Sequence, residues 1–133
     1  ASNQSGIARG YFDEAALTRM HDKMNSLVED SGGVISAIFY CPHSPDAGCS
    51  CRKPKTGLLE RAEVEFDISL AGDYFVGDSL KDLQAATSFN MKPILVRTGN
   101  GRQTEIALSK EIRDQTRIFN DLESAVTWIL NKQ

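Results

Sequence analysis

All three cysteines of the chain fall in one short stretch, Cys41-Pro42-His43-Ser44-Pro45-Asp46-Ala47-Gly48-Cys49-Ser50-Cys51, together with one of its two histidines. The arrangement is C-x-H-x5-C-x-C. Three thiolates and an imidazole are a complete tetrahedral ligand set for Zn²⁺, and the Pro and Gly residues allow the loop to close around an ion. With Cys41, His43, Cys49 and Cys51 all ligating, no position is left for water or substrate, so this zinc is expected to be structural. The rivals are a loop with incidental reduced cysteines and a disulfide. Cys49 and Cys51 are separated by one residue, a spacing that strains disulfide geometry. An odd number of clustered cysteines also fits a reducing cytoplasm better than a secreted, cross-linked framework.

A second group is acidic. Val76-Gly77-Asp78-Ser79-Leu80-Lys81-Asp82 sets two carboxylates four residues apart, Asp78 just past a strand and Asp82 in the first turn of a helix. Such a pair can offer oxygens to a hard cation such as Mg²⁺. The pair can equally be structural, with Asp78 capping the helix and Asp82 favourable at its N-terminus. Arg52-Lys53-Pro54 follows the cysteine loop and precedes a helix, so its two cations suit a phosphate-bearing ligand, although a solvated basic pair has the same sequence. Ser2, Asn3, Gln4, Ser5, Gly6 and Arg9 supply further donors in a polar loop that can receive a phosphate or be an ordinary turn. His21 has no neighbouring ligand residues and is expected to face solvent.

These residues need elements to position them, and the pattern alternates helix and strand. Asp13 caps a helix with Leu17, Met20, Met24, Leu27 and Val28 on one face, stopped by Gly32-Gly33. Residues 34–40 read as a mostly buried strand. Pro54 opens a second helix with Leu58, Leu59, Ala62 and Phe66 on one face. A short strand follows around Tyr74-Phe75-Val76, then a helix carrying Leu83, Ala86 and Phe89, and a strand at Ile94-Leu95-Val96 that runs into the turn Thr98-Gly99-Asn100-Gly101. Residues 102–115 have no clear period. Arg117-Ile118-Phe119 reads as a last strand, and Asn120 with Glu123 as a capping box for a final helix with Leu122, Ala125, Val126, Ile129 and Leu130 on its apolar face. The alternation predicts an α/β fold, a mainly parallel sheet with its ligands at the carboxyl ends of the strands.

Composition narrows the function classes. The 133 residues carry 15 Lys+Arg against 18 Asp+Glu, a formal net charge of -3. That balance, without a long basic run, argues against a nucleic-acid partner. No apolar run approaches the ~20 residues of a membrane span. One domain, 1–133, is expected, with residues 41–52 as a zinc loop inside it.

Taken together, Ser2-Asn3-Gln4-Ser5-Gly6-Ile7-Ala8-Arg9-Gly10, Cys41-Pro42-His43, Cys49-Ser50-Cys51-Arg52-Lys53-Pro54 and Val76-Gly77-Asp78-Ser79-Leu80-Lys81-Asp82 strongly resemble one family. It is the D-glycero-D-manno-heptose 1,7-bisphosphate phosphatases, zinc-loop members of the haloacid dehalogenase-like superfamily. The resemblance spans most of residues 1–101, and the zinc loop joined to Cys-Arg-Lys-Pro is its most specific part. Histidinol-phosphate phosphatases are similar in all these features.

The resemblance implies a Rossmann-like parallel sheet with helices on both faces, a small sugar-phosphate substrate, and a monomeric cytoplasmic enzyme using Mg²⁺. It also implies the mechanism: an aspartate attacks the phosphoryl group and the aspartyl-phosphate is hydrolysed. By motif, Ser2 would hydrogen-bond the transferring phosphate, and Asn3, with Gln4 beside it, would orient it. Lys53 would neutralise charge between nucleophile and phosphate, and Arg52 would contact substrate. Asp78 would ligate Mg²⁺ directly, and Asp82 would support the metal or its waters. The family's Asp-x-Asp, nucleophile and general acid, lies upstream of the segment matching Ser2-Asn3-Gln4, and no D-x-D occurs in these 133 residues. The expectation is therefore a domain lacking its first, central strand and inactive by itself. A non-catalytic zinc-binding module on the same scaffold is the alternative from another class.

Overall fold

A computed structural model describes residues 1–133. In chain order the elements are β1 (Ser2–Asn3), α1 (Glu14–Asp30), β2 (Tyr40–Cys41), α2 (Gly57–Phe66), β3 (Tyr74–Gly77), α3 (Leu80–Ser88), β4 (Lys92–Val96), α4 (Gly101–Ala107), α5 (Lys110–Gln115), β5 (Arg117–Phe119) and α6 (Leu122–Leu130). Every strand pairing is parallel, as the alternation requires. The strands form two ladders, β1-β2 and β3-β4-β5.

The three-stranded sheet is covered on both faces. Side chains alternate across a strand, so Val76, Ile94 and Val96 pack toward α6 with Ala125, Trp128 and Ile129. Phe75 turns the other way, toward Leu59 of α2 and Ala86 of α3. Ile94 and Leu95 of the middle strand are fully buried. A separate cluster of Phe39, Cys41 and Leu58 lies under the cysteine loop and ties β2 to α2.

Several boundaries differ from those read in the sequence. The strand expected over 34–40 is paired only at its end: Phe39 O and Cys41 O accept from the N–H groups of Ser2 and Gln4 at 2.9 and 2.7 Å. Residues 34–38 have no ladder partner and Val34 is 82% exposed. Pro54 does not open α2. It lies in a turn, and the helix begins at Gly57, whose N–H donates to Ser50 O at 3.1 Å. A Cβ at Gly57 would collide with the Ser50 and Cys51 backbone, so a glycine is needed where the helix crosses the loop.

Asp13 caps α1 through Ala16 N–H at 2.8 Å, as expected. Of its apolar face, however, Leu17 alone is buried, while Met20, Met24 and Leu27 are 39–56% exposed. Phe66 of α2 is likewise 40% exposed. The apolar periods are real, but neither ladder covers these side chains. His21 is half-buried rather than solvent-facing, because it lies one turn beyond Leu17 and packs on the Tyr40 ring at 5.7 Å.

The cap of α6 is Asp121, which accepts from Ser124 N–H at 2.8 Å, not Asn120 with Glu123. Asn120 is occupied elsewhere, accepting from Arg97 Nη1 at 2.8 Å. The unreadable stretch 102–115 is two short helices, α4 and α5.

Candidate active site

The carboxyl ends of β1, β2 and β3 bring the sequence's candidate residues together. After β2, the loop folds so that the Sγ atoms of Cys41, Cys49 and Cys51 and a ring nitrogen of His43 all lie within 4.8 Å of one another. Individual separations are 2.9 Å for Cys51 to Cys41, 3.6 Å for Cys41 to Cys49, and 3.3 and 3.2 Å from His43 Nδ1 to Cys41 and Cys51. Four donors around one tetrahedral ion stand about 3.3–3.8 Å apart when its bonds are ~2.0–2.3 Å; the His43 and Cys41–Cys49 separations lie near that spacing, and Cys41 and Cys51 stand closer than it. All three cysteines are free thiols. Their ionisation is uneven. Burial pushes Cys49 up, but hydrogen bonding to the Arg52 backbone, Cys41 and Cys51 outweighs it and brings its pKa to about 6. Burial, then hydrogen bonds and charge from the other two sulfurs, push Cys51 up to about 12. A cation at the centre of the cluster removes that mutual opposition.

The loop delivers Arg52 and Lys53 directly after its last cysteine. Lys53 is only 8% exposed, which excludes the solvated basic pair for this residue. Its Nζ lies 2.5 Å from Asp82 Oδ1, donates to Ala1 O at 2.8 Å, and stands 5.7 Å from the Phe75 ring centre. Its backbone is held by Asn3: Asn3 Nδ2 donates to Lys53 O at 3.1 Å, and Lys53 N–H donates to Asn3 Oδ1 at 3.0 Å. Both ends of the Asn3 amide are thus engaged with Lys53, which ties β1 to the loop. Next to Asn3, Gln4 Nε2 donates to Ser2 Oγ at 2.7 Å.

Asp82 is also buried, at 5% exposure. While Oδ1 meets Lys53, Oδ2 accepts from the N–H groups of Asp78 and Ser79 at 3.2 and 3.1 Å. Ser79, not Asp78, is the N-cap of α3, and with Asp82 it forms a reciprocal capping box. The helix-capping alternative for Asp78 therefore fails. Gly77 makes this turn possible, because any Cβ there would overlap the Asp82 carboxylate. Asp78 points instead toward the turn after β4. Its Oδ2 accepts from Asn100 N–H at 2.8 Å, and its main-chain carbonyl accepts from Thr104 Oγ1 at 2.8 Å.

Arg52, Lys53, Lys55 and Lys81 line a cavity of about 260 Å³ beside Cys49, and no acidic side chain lines it. Arg52 Nη1 is buried and has no hydrogen-bond partner. An unpaired guanidinium donor of this kind costs free energy until an anion meets it. Four cations around a small cavity, one with a vacant donor, and a carboxylate at a strand end are an arrangement for binding a phosphorylated compound.

The sequence did not single out Lys55, Lys81, Asn100 or Thr104. Thr98-Gly99-Asn100-Gly101 was visible as a turn, but nothing in it signals that its backbone would meet Asp78. Lys81 stands between the two aspartates in sequence, and its spacing carries no signal that it lines the cavity.

Residues 50–125 match the family model described as "HAD-hyrolase-like", and the chain belongs to the haloacid dehalogenase-like hydrolases. Within them it is 47% identical over 130 residues to the D-glycero-beta-D-manno-heptose-1,7-bisphosphate 7-phosphatase of Pseudomonas aeruginosa, covering 98% of this chain and 71% of that protein. The protein of the same name from Bordetella bronchiseptica is 47% identical over 132 residues, 99% of this chain and 73% of its own length. The crystal structure of the D,D-heptose 1,7-bisphosphate phosphatase from B. bronchiseptica, complexed with magnesium and phosphate, superposes with a TM-score of 0.91 at 46% identity over 99% of this chain and 73% of that one. The corresponding enzyme from Burkholderia thailandensis gives a TM-score of 0.71 at 35% identity, covering 97% and 72%.

Proposed function

We propose that this chain is the phosphate-binding and metal-binding part of a phosphatase that hydrolyses a phosphomonoester of D-glycero-D-manno-heptose 1,7-bisphosphate. The observation that carries the reading is the buried Lys53 beside the partnerless Arg52 Nη1, at the mouth of a cavity lined by cations. Lys53 offsets negative charge where the phosphoryl group is transferred, and the planar guanidinium of Arg52 fixes the substrate. Ser2 lies on the adjoining strand end and donates to the phosphate. Mg²⁺ supplies neutralisation of phosphoryl charge when bound. Asp78 fits as its ligand: only Oδ2 of its carboxylate is taken by Asn100, and Thr104 fixes its backbone. Asp82, expected to support the metal or its waters, has both oxygens engaged, so its support reaches the metal site through Lys53 and the turn that presents Asp78.

Zinc is the ion that best suits three sulfurs and an imidazole at this spacing, and with four protein ligands it serves structure. It braces the loop from which Arg52 and Lys53 project. These 133 residues contain no Asp-x-Asp, so the attacking carboxylate comes from residues outside them, on a strand between β1 and β3. The two ladders are unjoined there, and the α1 face with Met20 and Met24 is left uncovered. The enzyme works as a cytoplasmic monomer on a small phosphorylated sugar, without nucleic acid. No helix is long and apolar enough to cross a membrane.

Phosphate release from heptose 1,7-bisphosphate and from histidinol phosphate, compared with the protein carrying its Asp-x-Asp segment, tests the reading. The heptose compound is expected to be preferred many-fold. A many-fold preference for histidinol phosphate would transfer the assignment to that related class, and Mg²⁺-dependent turnover by the 133 residues alone would refute an outside nucleophile.

A further inference from the structure

At the opposite end of the three-stranded sheet from Asp78, the amino ends of β3, β4 and β5 and the end of α6 enclose a second cavity, of about 330 Å³. Tyr74, Lys92, Arg117, Trp128 and Lys132 line it, with Ile94 at its floor. Arg117 lies over the Trp128 ring at 4.6 Å and Lys132 at 5.5 Å, while Lys92 lies over Tyr74 at 5.1 Å. The two rings meet edge-to-face at 5.4 Å. The chain's ion pairs engage Lys53, Arg97, Lys110 and Arg113, so none of these three cations has a carboxylate within 4.0 Å, and no acidic residue lines the cavity.

In a chain with more acids than bases, a basic face would ordinarily find carboxylates nearby. Here all three residues are exposed, yet each side chain lies over an aromatic ring that lines the same cavity. Cation-π contacts orient each charge but do not neutralise it, so all three charges stay available to an anion that enters. The ring edges and Ile94 give the cavity an apolar wall, and its volume is at the lower end for a small-molecule site.

We propose that this cavity binds a small anion carrying more than one phosphoryl charge, at a site separate from Arg52 and Lys53. β3 and β4 run from this cavity to the active-site end: Tyr74 and Lys92 begin them, and Asp78 and the Asn100 turn follow their ends.

Trp128 is the chain's one tryptophan and forms the cavity wall, so its fluorescence reports the site. Pyrophosphate is titrated into the intact protein at constant ionic strength, with sodium chloride as control and Trp128→Phe to subtract any other emission. A saturable change is expected with pyrophosphate only. The double variant Lys92→Gln/Lys132→Gln, both positions exposed, is expected to weaken it roughly fivefold or more. Lys92→Arg/Lys132→Arg is expected to retain it, and Arg52→Ala to leave it unchanged. Circular dichroism confirms that the variants are folded. An equal response to chloride, a response unaffected in Lys92→Gln/Lys132→Gln, or one lost in Arg52→Ala would each overturn the proposal.

Discussion

Asp82 holds Lys53. The two side chains meet at 2.5 Å, about nine-tenths buried on both sides, and the same carboxylate closes the turn that presents Asp78. One side chain therefore fixes a cation delivered by the cysteine loop relative to a carboxylate delivered by β3. Separate parts of the chain are brought into register at a single group.

This pair is expected to be costly to break from either side. Asp82→Asn leaves the Lys53 ammonium buried without its counter-charge, a loss of ~3–5 kcal/mol for such pairs. Denaturant unfolding of the variant measures it. The double variant Lys53→Met/Asp82→Leu, which removes both charges, is expected to recover part of that stability and none of the activity. If the single and double variants lose equal stability, the charges are not coupled.

Gly77→Ala tests the same corner through the backbone. The added methyl has no room beside the Asp82 carboxylate, so Asp82 must shift and release both Lys53 and the Asp78 N–H. Overpacking of this kind costs about 1–3 kcal/mol. Activity is expected to fall well beyond what that loss of stability explains, measured at a temperature where the variant remains folded.

Removal of the zinc-site ion bears on the role given to the loop. One zinc per chain is expected by metal analysis, with Cys51→Ser reducing occupancy. Because Arg52 and Lys53 follow Cys51 directly, the metal-depleted protein is expected to show a raised KM and a lowered Tm. An unchanged KM after verified zinc loss would separate the loop from substrate binding.

Acid sensitivity should trace to Arg97 and Glu105. Arg97 Nε and Nη2 donate to the two Glu105 oxygens at 2.7 and 2.9 Å, while Nη1 reaches Asn120. Hydrogen bonding from Arg97, followed by its charge, holds Glu105 below its ordinary value of 4.5. A depressed carboxylate contributes stability that is present above the unfolded value and is lost as pH falls through the folded one. Arg97→Met is therefore expected to lower stability at neutral pH and to flatten its decline below pH 4.5. Equal slopes in both proteins would remove the pair from the acid response.

The sequence was most informative where one residue type can do only one job. Three cysteines and a histidine at C-x-H-x5-C-x-C needed no tertiary information, and Asp13 and the β3 and β4 strands were legible from local pattern. What escaped was set by distant partners. Asn120 had the composition of a cap, but Arg97, twenty-three residues away, claimed its side chain. Residues 34–40 had the composition of a strand, but a two-residue β1 pairs only with their end. Thr104 lies in a stretch without periodicity, and its bond to the Asp78 carbonyl exists only because α4, packed beside β4, brings it to the residue that follows β3. Lys53 was legible as a candidate, but its burial against Asp82 and the engagement of Asn3 on its backbone were not.

The most direct test is phosphate release from heptose 1,7-bisphosphate as a function of Mg²⁺, in the protein carrying its Asp-x-Asp segment and in its Asp78→Asn variant. Saturable dependence on Mg²⁺ is expected, with the variant slower by roughly 10²-fold or more at any concentration of the ion. Release that is indifferent to Mg²⁺, or an Asp78→Asn variant as fast as the parent, would contradict the placement of the metal and the transferred phosphoryl group at this corner.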